Sequence, residues 1–271
     1  MNALPDDCAA ELARPGTVPC VLLDGAMQLA VGECLAKRPG EALSLFDDLP
    51  KAAQALGPWL IPRPQALAVG VDGSARGVNW LSSRLPLESC AYHLRCWLRD
   101  GDPTGLQYTR LADGRVLCAA AEVWSAQQFS AFLAPFAGWW LADRDGCGRR
   151  LVRPPSQRDA EPAAGPGPGW TADQHLALAQ IMAVDQLLHA LKGRVRPCSA
   201  LHLREQRYRI ARQMQQLAIA HGYEDDADQL CWIASALVSG VCPETLQTHP
   251  AHARGLRGDA LWQELMGAHE H

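Results

Sequence analysis

The chain has 271 residues, 48% of them hydrophobic and 20% charged, with a net charge of −4. That composition excludes the disordered and fibrous classes and fits one large domain or two small ones. The acidic balance supplies no broad basic face for a phosphate backbone, so nucleic acid is not an expected partner.

The start, Met1-Asn-Ala-Leu-Pro-Asp-Asp7, has neither a basic head nor an apolar stretch, so no signal peptide is expected. Pro19 to Asp24 is an apolar run ending in Asp-Gly, which reads as a buried strand. Helix-forming residues from Ala26 to Arg38 follow, closed by Pro39-Gly40, and the strand–turn–helix order suggests an α/β layer. Asp47 or Asp48 is placed to cap a short helix over Leu49 to Leu56, and Trp59 to Ile61 reads as a strand. Gly77 to Leu81 is a further strand. Pro86 to Arg99 carries an apolar stripe through Leu87, Cys90, Ala91, Leu94, Trp97 and Leu98, as a half-buried helix requires. A strand over Gly105 to Arg110, a turn at Ala112-Asp-Gly114, and helices over Val116–Ala121 and Ser125–Leu133 complete the region with a hairpin from Trp139 to Leu151. The longest apolar stretch, Phe129 to Ala142, falls short of the roughly 20 residues a membrane helix needs, and no membrane partner is expected.

Residues 154–169 are dense in Pro and Gly and cannot hold regular structure, which marks an interdomain linker. Beyond it the pattern is helical. Thr171 and Gln174 fit a capping box for a helix to about Lys192. Ser199 is a candidate cap for a helix through Arg204 to Ala220, Asp225 or Asp226 for one ending at Gly240, and a short helix spans Asp259 to Met266. The expected fold is α+β in two lobes: an N-terminal α/β lobe with a mixed sheet over 1–153 and a C-terminal helical lobe over 170–271.

Ten cysteines without a Cys-x-x-Cys pair read as small buried hydrophobes in a reducing compartment. Walker, dinucleotide, nucleophile-elbow and zinc-protease motifs are missing, which lowers the prior for an enzyme. His249-Pro-Ala-His252 has metal-like spacing, but Pro250 should break the helix that would aim the pair, so a solvated loop is expected. Asp24, after a buried strand, is either a catalytic carboxylate or an acceptor for the next turn's backbone, and the second is favoured. Arg110 and Asp113, with Arg115 beyond, form either a recognition edge or a salt bridge fixing a turn. Trp170, at the linker exit, either staples the linker to a lobe or faces a partner.

Several segments together resemble a known family. They are Val21-Leu-Leu-Asp-Gly-Ala26, Leu43-Ser-Leu-Phe46, Ala55-Leu-Gly-Pro-Trp-Leu60, His93-Leu-Arg-Cys-Trp-Leu98 and Tyr108-Thr-Arg-Leu-Ala-Asp-Gly-Arg-Val-Leu117. Their order and spacing are similar to the domain of unknown function 4123 family, the type VI secretion effector chaperones or adaptors. The lack of a signal segment leads to the expectation of a cytoplasmic protein, and the resemblance implies a two-lobed one, not an enzyme, that needs no cofactor. It implies binding to a cognate effector protein and loading onto a VgrG-type spike tip protein, with a monomer expected when unbound. By motif position Asp24, Arg110, Asp113 and Arg115 match the family's recurrent polar residues. The chain departs at Gly114, where the family has Pro, and at Leu111-Ala112, which replaces an aromatic pair, so a looser junction is expected there. A hydrolase or transferase built around Asp24, and a structural subunit of a larger assembly, are the rival readings.

Overall fold

A computed structural model of the protein describes residues 6–38, 40–99, 108–151, 169–240 and 248–267. All but the last residue of the expected linker lies outside these. The chain divides into two compact units, Met1–Leu178 and Ala179–His271.

The first unit is built on a six-stranded sheet in the order β2-β3-β1-β4-β5-β6. Its strands are β1 (Val18–Asp24), β2 (Leu43–Ser44), β3 (Pro58–Pro62), β4 (Val78–Ser83), β5 (Phe136–Ala142) and β6 (Gly148–Arg150). Its helices are α1 (Asp6–Leu12), α2 (Leu29–Ala36), α3 (Lys51–Leu56), α4 (Arg63–Ala68), α5 (Leu87–Leu98), α6 (Gly114–Val123) and α7 (Ala126–Leu133). Every strand pairing is antiparallel, which corrects the expected mixed sheet. The reason lies in the burial. Cys20, Leu22, Leu60, Leu81 and Trp139 face one core with side chains of α5, α6 and α7. Val21, Leu23, Ile61, Trp80 and Trp140 face a second core with α1, Leu35 of α2 and Ala66 of α4. A sheet covered on both faces gives continuous apolar strands, the usual signature of parallel pairing. Here α2 and α3 pack together as an out-and-back pair, so the chain leaves β1 at Asp24 and re-enters β3 at Pro58, directly opposite.

Three local expectations change. Helix α2 is shorter than read, because residues 24–28 form a turn with Met27 and Gln28 N–H groups donating to the Asp24 carbonyl. Asp47 and Asp48 do not cap α3, whose N-cap is Pro50; they pair instead with Arg95, at 2.8 Å, and Arg99 on α5. Of the expected strand over 105–110, the first three residues lie outside the described ones and Tyr108–Arg110 join no strand. The sheet offers no opening there, since β1, β3 and β4 each already have two neighbours.

His93 on α5 lies among the rings of Trp97, Phe132 and Phe136, with Nε2 2.9 Å from the Phe132 carbonyl. Burial pushes its pKa below the ordinary value and outweighs the carbonyl, which favours the cation. The folded pKa is thus below the unfolded one, so stability is full above about pH 6.5 and declines as pH falls from there towards the folded pKa. Urea unfolding between pH 7.5 and 5 should show this decline, and His93→Gln should flatten it. An unchanged slope in the variant would remove His93 as its source.

The second unit is helical. Helix α8 (Ala172–Leu191) crosses the division between the units; α9 (Arg204–Ala220), α10 (Asp226–Ser239), α11 (Pro250–Ala253) and α12 (Gly258–Gly267) follow. Val184, Tyr208, Met214, Trp232, Ile233, Leu261 and Leu265 are among its core. The Thr171–Gln174 capping box forms, with bonds of 3.0 and 3.2 Å in the two directions. Asp225 caps α10 by accepting the Ala227 N–H at 2.7 Å, and Gly240 closes it with φ of 64°. Ser199 does not cap α9; Leu203 stands there without a side-chain bond. His249 and His252 are not in a solvated loop. Pro250 opens α11 rather than breaking a helix, His249 caps it, and His252 stacks on Trp232 at 4.3 Å. Pro tolerates this first helical position because its missing N–H would have no partner there. Among the described residues, no three His, Cys, Asp or Glu side chains gather as a metal would require. No helix among them is long and apolar enough to cross a membrane.

Candidate functional site

Asp24, Arg110 and Tyr108 converge beside the end of β1. Asp24 is the last residue of that strand, opposite Pro58 on β3, and its N–H donates to the Gly77 carbonyl at 2.8 Å. Backbone on both sides leaves its carboxylate only 6% exposed. Oδ1 accepts the Met27 N–H at 3.2 Å, so the expected acceptor role for the following turn is present. Both oxygens also accept from Arg110. Nη2 donates at 3.0 and 2.8 Å and Nε at 3.2 Å, a bidentate pair across 86 positions of sequence.

The two ends of this pair differ in environment. Arg110 is 40% exposed. Burial works against its charge, yet the Asp24 carboxylate more than offsets this and holds its pKa above the ordinary value. Tyr108 stands beside it with its ring 4.6 Å from Phe46, edge to face. Burial raises the Tyr108 pKa, with the Arg110 charge working against that and the Asp24 charge adding to it. Asp24, Leu56, Pro58, Leu98, Tyr108, Arg110 and Ala112 line a shallow surface hollow. Among the described residues neither His nor Cys lines it. Leu56 and Tyr108 are exposed on its margin, at 50% and 38%.

The segment carrying Arg110 is fixed from beneath. Thr109 N–H donates to the Leu98 carbonyl at 2.9 Å and Asp113 N–H to that of Arg110 at 2.8 Å. Asn79, fully buried on β4, donates from Nδ2 to the Ala112 carbonyl at 2.7 Å and accepts the Trp139 indole N–H at 3.3 Å. Sequence reading missed Asn79. Its signal was a lone amide in an apolar strand, where a buried polar group needs a partner.

Arg110 and Asp113 do not pair with each other, contrary to the salt bridge considered for this turn. Asp113 is the N-cap of α6, accepting the Arg115 N–H at 3.0 Å, and holds the Arg115 guanidinium at 3.1 and 2.7 Å. Nor is the junction open around Leu111-Ala112: both are buried. Asp113→Ala should cost about 1–2 kcal/mol, the value of a lost N-cap with a charged partner. Thermal unfolding would measure it, and an unchanged midpoint would show the cap to be dispensable. Trp170 lies away from this cluster. It packs on Trp124 at 5.4 Å and stacks with His175, within the first compact unit. There it anchors the start of α8, helped by Gln128, whose amide meets the Gly169 carbonyl and Gln174.

Residues 21–131 match the family model described as Domain of unknown function (DUF4123), a span that contains Asp24, Arg110, Asp113 and Arg115 but not Trp170. No curated protein and no solved structure matches the chain.

Proposed function

Over residues 21–131 the chain belongs to the domain of unknown function 4123 family, and from that premise we propose that it is a type VI secretion effector chaperone or adaptor. It binds a cognate toxic effector in the cytoplasm and helps load it onto a VgrG-type spike tip protein. It acts by stoichiometric binding, without a cofactor, and is a monomer before its partners arrive. Apolar burial supplies the affinity, at about 25 cal/mol per Å², offset by the cost of association and side-chain ordering.

The observation that supports this reading is the asymmetry of the Asp24–Arg110 pair. The carboxylate is sealed in, whereas the guanidinium is held at a fixed position and stays 40% exposed between Tyr108 and Leu56. Arg and Tyr are the residues that most often dominate binding energy at protein interfaces, and fixing them beforehand lowers the entropy lost on contact. A shallow hollow of this kind suits contact better than conversion of a small molecule, which usually needs a deeper, enclosing pocket.

The test is co-expression with the neighbouring genes, affinity capture and mass spectrometry. A spike protein and an effector should co-purify, and Tyr108→Ala with Leu56→Ser should weaken capture of one of them. Recovery of a metabolite or nucleic acid, with neither protein present, would overturn the proposal.

A further inference from the structure

The charge of the helical unit is sharply divided along the chain. Residues 192–212 hold seven Lys or Arg and one Glu, whereas residues 224–271 hold eight Asp or Glu and two Arg. The basic stretch covers the turn after α8 and the first half of α9. Lys192, Arg194, Arg196, Arg204 and Arg209 on it are exposed. Lys192, Arg194, Arg196 and Arg209 form no ion pair among the described residues. The stretch is tied to the unit and to itself by hydrogen bonds. Cys198 N–H donates to the Leu237 carbonyl near the end of α10, and the Arg207 guanidinium donates to the Leu201 and His202 carbonyls.

Lys192, Arg194 and Arg196 follow the C-terminus of α8, where cations suit the helix dipole, but the basic residues that open α9 run against what the fold itself favours. The first turns of a helix carry the positive end of its dipole and prefer Asp or Glu. Helix α9 opens instead with Arg204, Arg207 and Arg209 against the single Glu205, and its N-cap makes no side-chain bond. Helix α10 follows the ordinary rule, with Asp225, Asp226 and Asp228 at its start. A helix opening that departs from this local rule at an exposed surface is expected where the surface serves binding.

We propose that this basic stretch of the helical unit docks an acidic segment of a partner polypeptide. Complementary charge selects the occupant. A nucleic acid fits less well, because the cations occupy one stretch of a unit that is acidic beyond residue 224 in a chain of net charge −4. The inference rests on these charges and not on the secretion role. Loss of spike and effector capture with peptide binding intact would remove that role alone.

The test uses the full chain and a fluorescently labelled poly-glutamate peptide of about 20 residues, followed by anisotropy at low and physiological salt. Lys192→Glu, Arg194→Glu and Arg196→Glu together should weaken binding by about 10-fold or more. Lys37→Glu, Lys51→Glu and Arg76→Glu, exposed in the first unit, change the net charge equally and should have less than about a 2-fold effect. Equal losses in the two triple variants would show that only net charge matters and overturn the proposal. So would tighter binding of a duplex DNA of matched charge, or low-salt self-association abolished by reversing Glu224, Asp225 and Asp226, which would make a second copy the occupant.

Discussion

Arg110→Met will destabilise the protein more than Asp24→Asn, and the double variant will cost less than their sum. The asymmetry follows from exposure. Removing the guanidinium leaves a carboxylate that is 6% exposed with only the Met27 N–H for company. An uncompensated buried charge of that kind costs about 3 kcal/mol or more. Removing the carboxylate's charge instead leaves a guanidinium already 40% exposed, which can turn to water, and the amide oxygen of the substituted side chain can still accept the Met27 N–H. That loss should be about 1–2 kcal/mol. With both changed, neither stranded charge remains, and the coupling should be about 1–2 kcal/mol, kept at the low end by the solvent around Arg110. Urea unfolding of the four proteins at pH 7 gives all the terms. Additivity within about 0.5 kcal/mol would mean that the pair is not an energetic unit and that Arg110 is not held by Asp24 in solution.

Such a pair shows where sequence reading reaches its limit. Strands β1, β3 and β4 were legible because their apolar runs stop at turn residues, α5 because it carries an apolar stripe, and α10 because its end residues mark it. Thr171 with Gln174, Asp225 and Gly240 could be placed because capping is a local code, read within four residues. Asp24 was recognisable as the end of a strand and as an acceptor for the next turn. Its partner was not, because nothing local links positions 24 and 110. The same limit misassigned Asp47 and Asp48, good local caps that the fold commits to Arg95 and Arg99 on α5. Strand direction was misread for a related reason. Burial on both faces is visible in composition, but the direction of each strand depends on how the connecting helices return. Helices α1, α4 and α11 carry too few residues to show a stripe, and Pro near the start of α4 and α11 reads in sequence as a break.

Gly25→Ala should be the most damaging small substitution near the site, for reasons of space. A methyl group there would lie 2.2 Å from the Ala55 carbonyl oxygen and 2.6 Å from that of Gly57, while the Gly25 N–H already donates to Gly57 O at 2.9 Å. The obstructing atoms are backbone and cannot rotate away, so the end of α3 and the start of β3 must move. Gly32 on α2 approaches the same Ala55 oxygen, with a methyl position at 2.1 Å, so both glycines let α3 close over the turn that follows Asp24. Gly25 is not among the glycines with positive φ, so conformational freedom is not what the position requires. Gly16 supplies the contrast, with φ of 79° and nothing within 4 Å of an added methyl. Gly16→Ala should cost about 1 kcal/mol for its backbone conformation. Gly25→Ala should cost about 3 kcal/mol for forced displacement in a packed interior. Because Pro58 lies opposite Asp24, that displacement should also shrink the Asp24–Arg110 coupling when the double-variant cycle is repeated in the Gly25→Ala background. Equal costs at Gly16 and Gly25, with the coupling intact, would show that α3 gives way freely and that close backbone approach does not hold the candidate site in place.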